Sequence, residues 1–371
     1  MNEIDNIPKS LRIAIYGAGE VGLFVKHYIE NNRPDLKLIS FFDKIEKTDI
    51  EGLTVHPIKK IQELKKDFDL VIVASYSNIA IMETILRYHG IDNYVHLDDF
   101  CLNQAEIENE PCTFSGETDK IAEVQKILFS EESKNLFELI VAAYKCKHCL
   151  KKLSNYLKEN NKAIYPKIHE QYLDFIDKNS IKTIISAGAY DAGTSLLFLD
   201  RLKNVEKIYA FEPMYDKFKC ELNDSIIAES GKVEIIKKGV FDKSGEISFV
   251  ECDNSSAADI GGIWNPSITI NIQTISIDDF IKEKNIKKVD FIKMDVEGCE
   301  LAALKGAKKT IIKHHPQLAI CIYHSYEELF DIPNYLYKLL PNYKFEVYHY
   351  SLNNIWESVL YGIPDEVNSK Q

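Results

Sequence analysis

The fold of this chain is constrained most by an apolar run that ends in acidic residues and turns directly into a helical pattern. The run is Val289 to Met294, and Asp295, Glu297 and the helical spacing of residues 300–307 follow it. A buried strand that leads at once into a helix is typical of a βα unit in a parallel sheet. Ligands bind beyond the carboxyl ends of such strands, so Asp295 is predicted to lie in a functional site. The alternative is that the acids only complement the dipole of the first helical turn.

Composition excludes several classes of protein. The 371 residues carry a net charge of -12, and the few arginines do not cluster, so no nucleic-acid surface is expected. No apolar run approaches the length of a membrane span. The polar, acid-containing first residues are unlike a secretory signal, and the scattered cysteines form no framework. Together these features predict a cytoplasmic protein with reduced thiols.

A G-x-G-x-x-G motif, Gly17 to Gly22, opens the first predicted domain. It lies between a strand, Leu11 to Tyr16, and a helix, and the next strand ends at Asp43. This is the layout of a dinucleotide fingerprint, with phosphate at the helix N-terminus and the acid on a ribose. The alternative is that the glycines only permit a tight crossing of strand and helix. Because the unit is small, we expect it to support assembly or acceptor placement rather than redox chemistry.

A helical region with one cysteine pair follows. Apolar residues recur at helical spacing between Ser130 and Glu159, and Cys146, His148 and Cys149 fall within this stretch. A C-x-x-C pair can begin a zinc site, but no second pair follows at zinc-ribbon spacing. We therefore expect two thiols one turn apart on a half-buried helix.

The second α/β unit repeats the strand, glycine turn and helix. Its first strand leads into a turn of small residues, and its second strand ends in Glu212. Small residues let a ligand lie close to the backbone, and an acid at the tip of the second strand can accept both hydroxyls of a ribose. This plan indicates S-adenosylmethionine; the alternative is a structural turn beside a surface glutamate. The predicted cofactor contacts are Ala187, Gly188, Ala189, Tyr190, Asp191, Glu212, Gly239, Val240 and Asp295.

Six motifs, in order along residues 166–364, carry a family resemblance. They are GAYDAGTS, FEP, ISIDDF, DFIKMDVEGCELAALKGA, IYHS with ELFDIP, and YHYS with VLYGIP. This stretch resembles the FkbM family of S-adenosylmethionine-dependent methyltransferases. The resemblance implies a class I methyltransferase fold and O-methylation, often of sugars in glycans such as capsule or lipopolysaccharide precursors. The sequence departs from the family at Ser186, where an acid is usual, and at Ala192, where a glycine is usual.

Two alternatives to this function stay open. The departures at Ser186 and Ala192 are compatible with a catalytically inactive, methyltransferase-like binding protein. The motif from Gly17 to Gly22, with Asp43, is compatible with a nucleotide-dependent sugar oxidoreductase.

Two histidines, His324 and His349, end strands on the same predicted edge as Asp295. A sugar hydroxyl is a poor nucleophile toward a methyl sulfonium, so its proton must be removed or polarised. We favour His324 as the base, with Asp295 orienting it or the hydroxyl, and His349 as the second candidate. In the other route a Mg²⁺ ion on Asp295 and Glu297 lowers the pKa of the hydroxyl.

These inferences predict an α/β protein with two Rossmann-like domains joined by a helical linker region, the second domain having a class I methyltransferase fold. The predicted bounds are 1–105 for the first domain, 106–170 for the linker region and 171–371 for the methyltransferase domain. The expected partner is a sugar or glycan substrate, and self-association into a homo-oligomer is left open.

Overall fold

A computed structural model describes residues 2–44, 49–75, 79–97, 117–160, 170–251, 268–352 and 354–365. The described residues up to 97 form one compact unit, and those from 117 onward form a second. The structure thus groups the helices of residues 118–160 with the second unit, whereas the sequence assigned them to a separate linker; the domain bounds stay a proposal. Within the described ranges, no helix has both the length and the apolar character that a membrane span needs.

The first unit is built around a six-stranded sheet. Its elements are α1 (Asn2–Asp5), β1 (Arg12–Tyr16), α2 (Glu20–Asn32), β2 (Lys37–Asp43), β3 (Asp49–Ile50), β4 (Leu53–Pro57), a 3-10 turn (Ile58–Lys60), β5 (Leu70–Val73), α3 (Ile79–Tyr88) and β6 (Tyr94–His96). The strand order is β3-β4-β2-β1-β5-β6, and every pair is parallel except β3 with β4. The sequence did not predict this hairpin, because a two-residue strand leaves no periodic signal.

The three glycines of the first motif lie in different surroundings. A Cβ at Gly17 would lie 2.2 Å from the carbonyl oxygen of the residue after β5, and one at Gly22 would lie 1.9 Å from the carbonyl oxygen of Gly17. A Cβ at Gly19, the N-cap of α2, would meet nothing within 4 Å. These are the tight-turn, packing and ligand-approach roles of a dinucleotide fingerprint. Asp43, expected on a ribose, accepts a hydrogen bond of 2.7 Å from the backbone N–H of Ala18.

The second unit contains helices and two sheets. Its elements are α4 (Thr118–Ile127), α5 (Glu131–Lys145), α6 (Lys147–Asn160), β7 (Thr183–Ala187), α7 (Gly193–Arg201), β8 (Lys207–Phe211), α8 (Tyr215–Phe218), α9 (Glu221–Ser230), β9 (Val233–Ile236), β10 (Gly239–Val240), β11 (Gly245–Glu251), β12 (Ile268–Ile275), α10 (Ile277–Glu283), β13 (Phe291–Met294), α11 (Glu300–Gly306), α12 (Lys308–His314), β14 (Gln317–Cys321), α13 (Glu328–Leu339), β15 (Tyr343–His349) and β16 (Ser358–Pro364). The small sheet has the order β10-β12-β11.

The large sheet has the order β15-β16-β14-β13-β7-β8-β9. Its five strands from β14 to β9 are parallel, and β16 runs antiparallel to both of its neighbours. All residues of β13, β14 and β16 are buried, which accounts for their continuous apolar runs. The strand order reverses between β7 and β13, so the ligand crevice of this fold is expected at their carboxyl ends. The predicted fold class, α/β with two Rossmann-like units, is confirmed.

The cysteine pair does not lie inside one helix as expected. Helix α5 ends at Lys145 and α6 begins at Lys147, which leaves Cys146 in the break between them. Cys146 is a free thiol, whereas Cys149 is disulfide-bonded. The prediction of reduced thiols is therefore wrong for Cys149. The scattered cysteines show no framework from which this bond could be predicted, and the bond does not join Cys149 to Cys146, which is free. The side chain of His148 lies outside the described part of the structure.

The start of α5 is fixed to the edge strand β15 through one buried carboxylate. Oε2 of Glu346 accepts hydrogen bonds from the hydroxyls of Ser130 and Ser133, at 2.6 and 2.5 Å, and one from the backbone N–H of Ser130 at 3.3 Å. Ser130 is also the N-cap of α5, since its side chain accepts from the N–H of Ser133. Glu346 is 8% exposed, so its three donors have little access to water.

Substitution of Glu346 by alanine should therefore destabilise the second unit. Three donors would lose their buried acceptor, which costs about 1–3 kcal/mol. We expect a lower unfolding midpoint in urea and faster hydrogen exchange at the start of α5. Glu131→Ala is the control, because Glu131 is 81% exposed and its ion pair with Lys134 lies at the surface, so its loss should change stability by less than about 1 kcal/mol. Equal losses for the two variants would contradict this account of the contact.

Candidate functional site

Four adjacent strands of the large sheet end together at the predicted site. Gly188 follows β7, Glu212 follows β8, Asp295 follows β13, and His324 lies three residues beyond β14. The backbone N–H of Asp295 donates to the carbonyl of Ala187 at 3.1 Å, which extends the pairing of β7 and β13 into the loops. The structure thus brings together the predicted residues that end these four strands.

Gly188 allows the loop after β7 to contact Asp295. It has a φ of +76°, and a Cβ added there would lie 1.6 Å from the carbonyl oxygen of Asp295. Its N–H and that of Ala189 both donate to the carbonyl of Phe211, at 3.0 and 2.9 Å. A side chain at position 188 would therefore separate the two loops that build the site.

Glu212 is held in a fixed orientation at the end of β8. Its Oε2 accepts from the N–H of Tyr190 and its Oε1 from the N–H of Met214, each at 3.0 Å. Burial raises the pKa of this carboxyl, and the two backbone donors oppose the rise. Each oxygen keeps a further lone pair that could accept a ligand hydroxyl.

The loop after Gly188 keeps a left-handed backbone at two non-glycine residues. Tyr190 has a φ of 50° and Ala192 one of 63°, and Ala192 is the N-cap of α7. Ala192 thus adopts the conformation that glycine favours, and the departure from the family pattern leaves the turn intact. Ser186, the other departure, is fully buried in β7. The ring of Tyr190 stacks on that of Phe218 with centroids 4.6 Å apart.

Asp295 is surrounded by donors. Its Oδ2 accepts from the hydroxyl of Tyr172 at 2.8 Å, and its Oδ1 accepts from the hydroxyl of Tyr323 at 2.9 Å. The ammonium of Lys293 lies 3.5 Å from Oδ2. Burial alone would raise the pKa of Asp295, but Lys293, His324 and the two tyrosines lower it to about 2. Asp295 is therefore a carboxylate at any pH at which the protein would work.

Lys293 is a buried cation inside the sheet. Lys293 lies within β13, and its side chain, which is 1% exposed, extends toward the site. Its Nζ donates to the carbonyl of Gly188 at 2.7 Å and lies 4.9 Å from the ring centre of Tyr172. This ammonium links the loop after β7 to the carboxylate after β13, and such a charge is stable in the interior only when it is paired in this way.

His324 lies among three carboxylates. Its Nε2 is 3.4 Å from Oδ1 of Asp295 and 3.5 Å from Oε2 of Glu297, and its Nδ1 is 3.0 Å from Oε1 of Glu300. Burial would lower the pKa of His324, but the carboxylates raise it to about 10. The imidazole is therefore protonated at neutral pH.

The pKa of Glu297 is raised, whereas that of Asp295 is lowered. Burial and the neighbouring carboxylates of Asp295 and Glu300 raise the pKa of Glu297 to about 8, against the effect of His324. Its side chain is nevertheless 37% exposed, so solvent screens part of this rise. Two carboxyl groups next to one histidine thus differ strongly in proton affinity, a pattern found where groups have distinct roles in catalysis.

Glu300 closes the turn between β13 and α11. Its carboxylate accepts from the backbone N–H groups of Val296 and Gly298, at 2.7 and 3.0 Å. Burial, the charge of Glu300 and a hydrogen bond to it raise the pKa of Glu328, so Glu328 carries the proton that the two groups share. Glu300 therefore faces His324 as an ionised, fully buried carboxylate.

One predicted catalytic residue, His349, does not join this group. His349 is 1% exposed, its Nδ1 lies 2.7 Å from the hydroxyl oxygen of Ser358, and its Nε2 lies 3.0 Å from the carbonyl oxygen of Asn354. Burial lowers the pKa of His349 to about 4, and both nitrogens are occupied, so the geometry favours His324 over His349. Gly239 and Val240 form β10, which pairs with β12, and their role at the adenine stays a prediction.

Sequence reasoning missed several residues that hold the site. Lys293 was visible as a charge within an apolar strand, and Glu300 as an acid in the first helical turn. Tyr323 immediately precedes the predicted His324 but carried no signal of its own. Tyr172 left no usable signal, because it lies more than a hundred residues before Asp295.

Comparison with known proteins identifies the region that carries this site. Residues 186–347 match the family model described as the Methyltransferase FkbM domain. This range contains the glycine loop, Glu212, Asp295 and His324, and ends just before His349. The chain therefore contains an FkbM methyltransferase domain, and the resemblance found in the sequence is confirmed.

Two curated relatives match part of the chain. One is the 2-O-methyltransferase NoeI of Sinorhizobium fredii, which is 24% identical over 164 residues, covering 40% of this chain and 65% of the relative. The other is the hexuronic acid methyltransferase AglP of Haloferax volcanii, which is 34% identical over 101 residues, covering 27% of this chain and 40% of the relative. The chain thus covers less than two thirds of the length of either relative.

A solved structure, the methyltransferase FkbM of Methylobacillus flagellatus, is also similar. It aligns over 97% of this chain and 92% of its own, with 18% identity and a TM-score of 0.49.

The close approach of Gly188 to Asp295 predicts how the site responds to one added methyl group. Gly188→Ala should cost more stability than Gly231→Ala, because both glycines have a positive φ but a Cβ at Gly231 would meet nothing within 4 Å. The left-handed backbone alone costs about 1–2 kcal/mol, and overpacking at Gly188 should add about 1–3 kcal/mol. Denaturant unfolding of the two variants measures the difference. Losses of the same size would show that the two loops separate freely.

Proposed function

We propose that this chain, whose residues 186–347 form an FkbM methyltransferase domain, transfers the methyl group of S-adenosylmethionine to a hydroxyl of a sugar or glycan precursor. The observation that supports this best is the convergence of the glycine loop, Glu212, Asp295 and His324 at the ends of four adjacent strands. In open α/β sheets this edge, at the reversal of strand order, binds ligands.

The proposed cofactor lies across the ends of β7 and β8. The loop from Ala187 to Asp191 would take the amino-acid part, and Glu212 would accept hydrogen bonds from the two ribose hydroxyls. The fixed carboxylate supports this role, because its backbone contacts leave a lone pair on each oxygen. The proposal assigns Gly239 and Val240 to the adenine.

The proposed acceptor follows from the two relatives. One is named as a 2-O-methyltransferase and the other as a hexuronic acid methyltransferase. Together the names support methyl transfer to an oxygen atom and a sugar as the molecule that carries it. A sugar acid also has a carboxylate oxygen, so a methyl ester is the main alternative product to a methyl ether.

The reaction requires a proton to leave the acceptor. As the new O–CH₃ bond forms, the S–CH₃ bond breaks, S-adenosylhomocysteine leaves, and the hydroxyl proton is released. Asp295 and His324 are the proposed catalytic residues, and Asp295 would orient the hydroxyl or the ring. His324 can accept the proton only after losing its own, which the positive sulfonium would promote by lowering the pKa of the imidazole. A cation held by Asp295 and Glu297 is the other route, with Mg²⁺ as the ion expected from the sequence.

A specific observation favours a second binding activity. The three glycines of the first unit have the surroundings of a dinucleotide fingerprint, with open space at Gly19. We propose that any nucleotide bound there serves placement of the acceptor and not hydride transfer. Calorimetric titration with NAD and with nucleotide sugars tests this, and NAD-dependent turnover of a sugar would contradict it.

Glu212→Gln should weaken S-adenosylmethionine at least tenfold. Charge-assisted hydrogen bonds contribute about 1.5–3 kcal/mol each, and a tenfold change in Kd corresponds to about 1.4 kcal/mol. The glutamine keeps the side-chain volume, so the loop should stay folded. Calorimetry gives the affinity, with Glu234→Gln as control, since Glu234 binds Lys284 at the side of the sheet. Unchanged affinity in the Glu212 variant would reject the assignment of the ribose site.

His324→Ala should lower the rate of methyl transfer by roughly 10²–10⁴ and leave S-adenosylmethionine binding intact. The assay is mass gain of one methyl on nucleotide sugars and capsule-type oligosaccharides. His315→Asn is the control, because His315 is exposed and has a left-handed backbone that asparagine tolerates.

Alkaline treatment of the product separates the two kinds of oxygen acceptor, since an ester is hydrolysed and an ether is not. A wild-type rate in the His324 variant would remove this residue from the mechanism.

A further inference from the structure

The loop between β15 and β16 lies at the same edge of the large sheet as the candidate site. Strand β16 runs antiparallel to both β14 and β15, so its first residues meet the carboxyl end of β14. The backbone N–H of Ile322 donates to the carbonyl of Ser358 at 3.0 Å, which continues the pairing past the end of β14. Glu357 therefore lies across from Tyr323 in this ladder.

Glu357 also contacts a second segment that reaches the site. Its Oε2 accepts a hydrogen bond of 2.6 Å from Nε2 of Gln171. The next residue, Tyr172, and the ladder neighbour, Tyr323, each donate a hydroxyl to Asp295, at 2.8 and 2.9 Å. Burial raises the pKa of the Glu357 carboxyl, and the charge of Asp295 adds to the rise, which agrees with this placement. The amide of Gln171 and the carboxyl of Glu357 thus lie beside the proposed reacting groups.

The pair formed by Gln171 and Glu357 keeps acceptor atoms for a ligand. Both side chains are half-buried, and within the described ranges the Oε1 atom of each accepts no hydrogen bond. Glu357 and Tyr172 have left-handed backbones, with φ of 74° and 75°. Such non-glycine conformations concentrate at functional sites. Two strained turns therefore bring together two carbonyl-type oxygens that a ligand with neighbouring donors can reach.

The same loop holds Trp356 next to this pair. The indole side chain is 53% exposed, and its backbone N–H donates to Oδ1 of Asn354 at 2.9 Å. The buried ring of His349 contacts the loop twice, with Nε2 3.0 Å from the carbonyl oxygen of Asn354 and Nδ1 2.7 Å from the hydroxyl oxygen of Ser358. The backbone on both sides of Trp356 is thus fixed. A rigid aromatic side chain held at the surface contributes contact area to a ligand at little entropic cost.

We propose that Trp356, Gln171 and Glu357 bind the sugar ring that carries the methylated hydroxyl. The C–H face of a pyranose ring packs on the indole, and two neighbouring hydroxyls donate to Glu357 and Gln171. The hydroxyl to be methylated then faces Asp295 and His324. This inference rests on the proposed function, because it names the acceptor-binding part of the same site. The three residues lie outside residues 186–347, so the family match assigns them no role.

The chemistry of the three side chains suits a sugar ring. A pyranose has apolar C–H groups on its faces and hydroxyl donors around its rim. Ligand sites typically combine an apolar or aromatic wall with a few placed polar groups. A hydroxyl that donates to the carboxylate of Glu357 makes the stronger, charge-assisted kind of hydrogen bond. Stacking alone would also suit a flat aromatic ligand, but the two acceptors select a ring with neighbouring donors.

The test uses the full-length protein saturated with S-adenosylhomocysteine, with methyl glycosides of hexoses as probes. The chain has two tryptophans, so Trp264→Phe leaves Trp356 as the only indole reporter. At least one methyl glycoside should quench the Trp356 fluorescence with a saturable dependence on concentration. Calorimetry then gives the affinity of that glycoside for variants of the otherwise wild-type chain.

Trp356→Ala and Glu357→Gln should each weaken the glycoside by about tenfold or more, since one loses buried apolar area and the other a charge-assisted acceptor. The matched controls are Tyr337→Ala and Glu283→Gln. Both residues are exposed and lie near the C-terminal ends of their helices, away from the carboxyl ends of the strands. The controls should bind the glycoside as the wild type does.

An exchange of the polar pair separates a ligand contact from a structural one. The double variant Gln171→Glu with Glu357→Gln keeps one amide and one carboxyl in contact. It should therefore recover the thermal stability of the wild type but not its affinity for the glycoside, because the carboxylate has changed position. Recovery of both properties would overturn the contact between Glu357 and the sugar.

The outcomes also separate this inference from the proposed function. Loss of glycoside binding in the Trp356 and Glu357 variants but not in the controls supports the subsite, even if no glycoside is methylated. In methyl-transfer assays these variants should raise the KM for the acceptor by about tenfold or more and leave S-adenosylmethionine affinity unchanged. An unchanged acceptor KM or glycoside affinity, or no response of Trp356 to any glycoside, overturns the subsite and leaves the methyltransferase assignment standing.

Discussion

The site depends on a buried ammonium that joins two strand ends. Lys293 donates to the carbonyl of Gly188 and lies 3.5 Å from the carboxylate of Asp295. An isolated buried carboxylate would take up a proton, and an isolated buried lysine would lose one. Together they allow Asp295 to stay ionised between the loops after β7 and β13. The closeness of those loops, which only a glycine at position 188 permits, is thus coupled to the charge state of the site.

The remaining charges follow from this pair. Burial raises the pKa of Glu297 and of Glu328, and the charge of Glu300 adds to both, with Asp295 adding to that of Glu297. Glu300 is kept ionised by His324, by backbone donors and by the proton on Glu328. The negative charges of Glu300 and Asp295 then favour the protonated form of His324. The same arrangement makes the imidazole of His324 a poor base until its proton is displaced, because the neighbouring carboxylates stabilise the protonated form.

Sequence reasoning could find the residues that end strands, but not those that reach the site from elsewhere. Asp295, Glu212 and His324 were predicted because a parallel sheet brings the ends of neighbouring strands together. Tyr172 was not, since its hydroxyl reaches Asp295 from a turn with no periodic pattern. His349 shows the limit of the rule: it also ends a strand, yet β16 and β14 lie between its strand and β13. Charge states could not be predicted from the sequence either. The pKa of His324 depends on its distances to three carboxylates, and only the fold determines those distances.

Backbone strain marks the same place independently of charge. Tyr172, Tyr190, Ala192 and Glu297 all have a positive φ, and each lies in a turn that leads into or lines the site. A left-handed non-glycine residue costs about 1–3 kcal/mol, and such residues concentrate at functional sites. At Glu297 the strained turn places a carboxylate beside Nε2 of His324, whereas an ordinary helical start would direct it along α11. The turn after β13 therefore gives up some stability to bring two acids, Asp295 and Glu297, near the same ring nitrogen of His324.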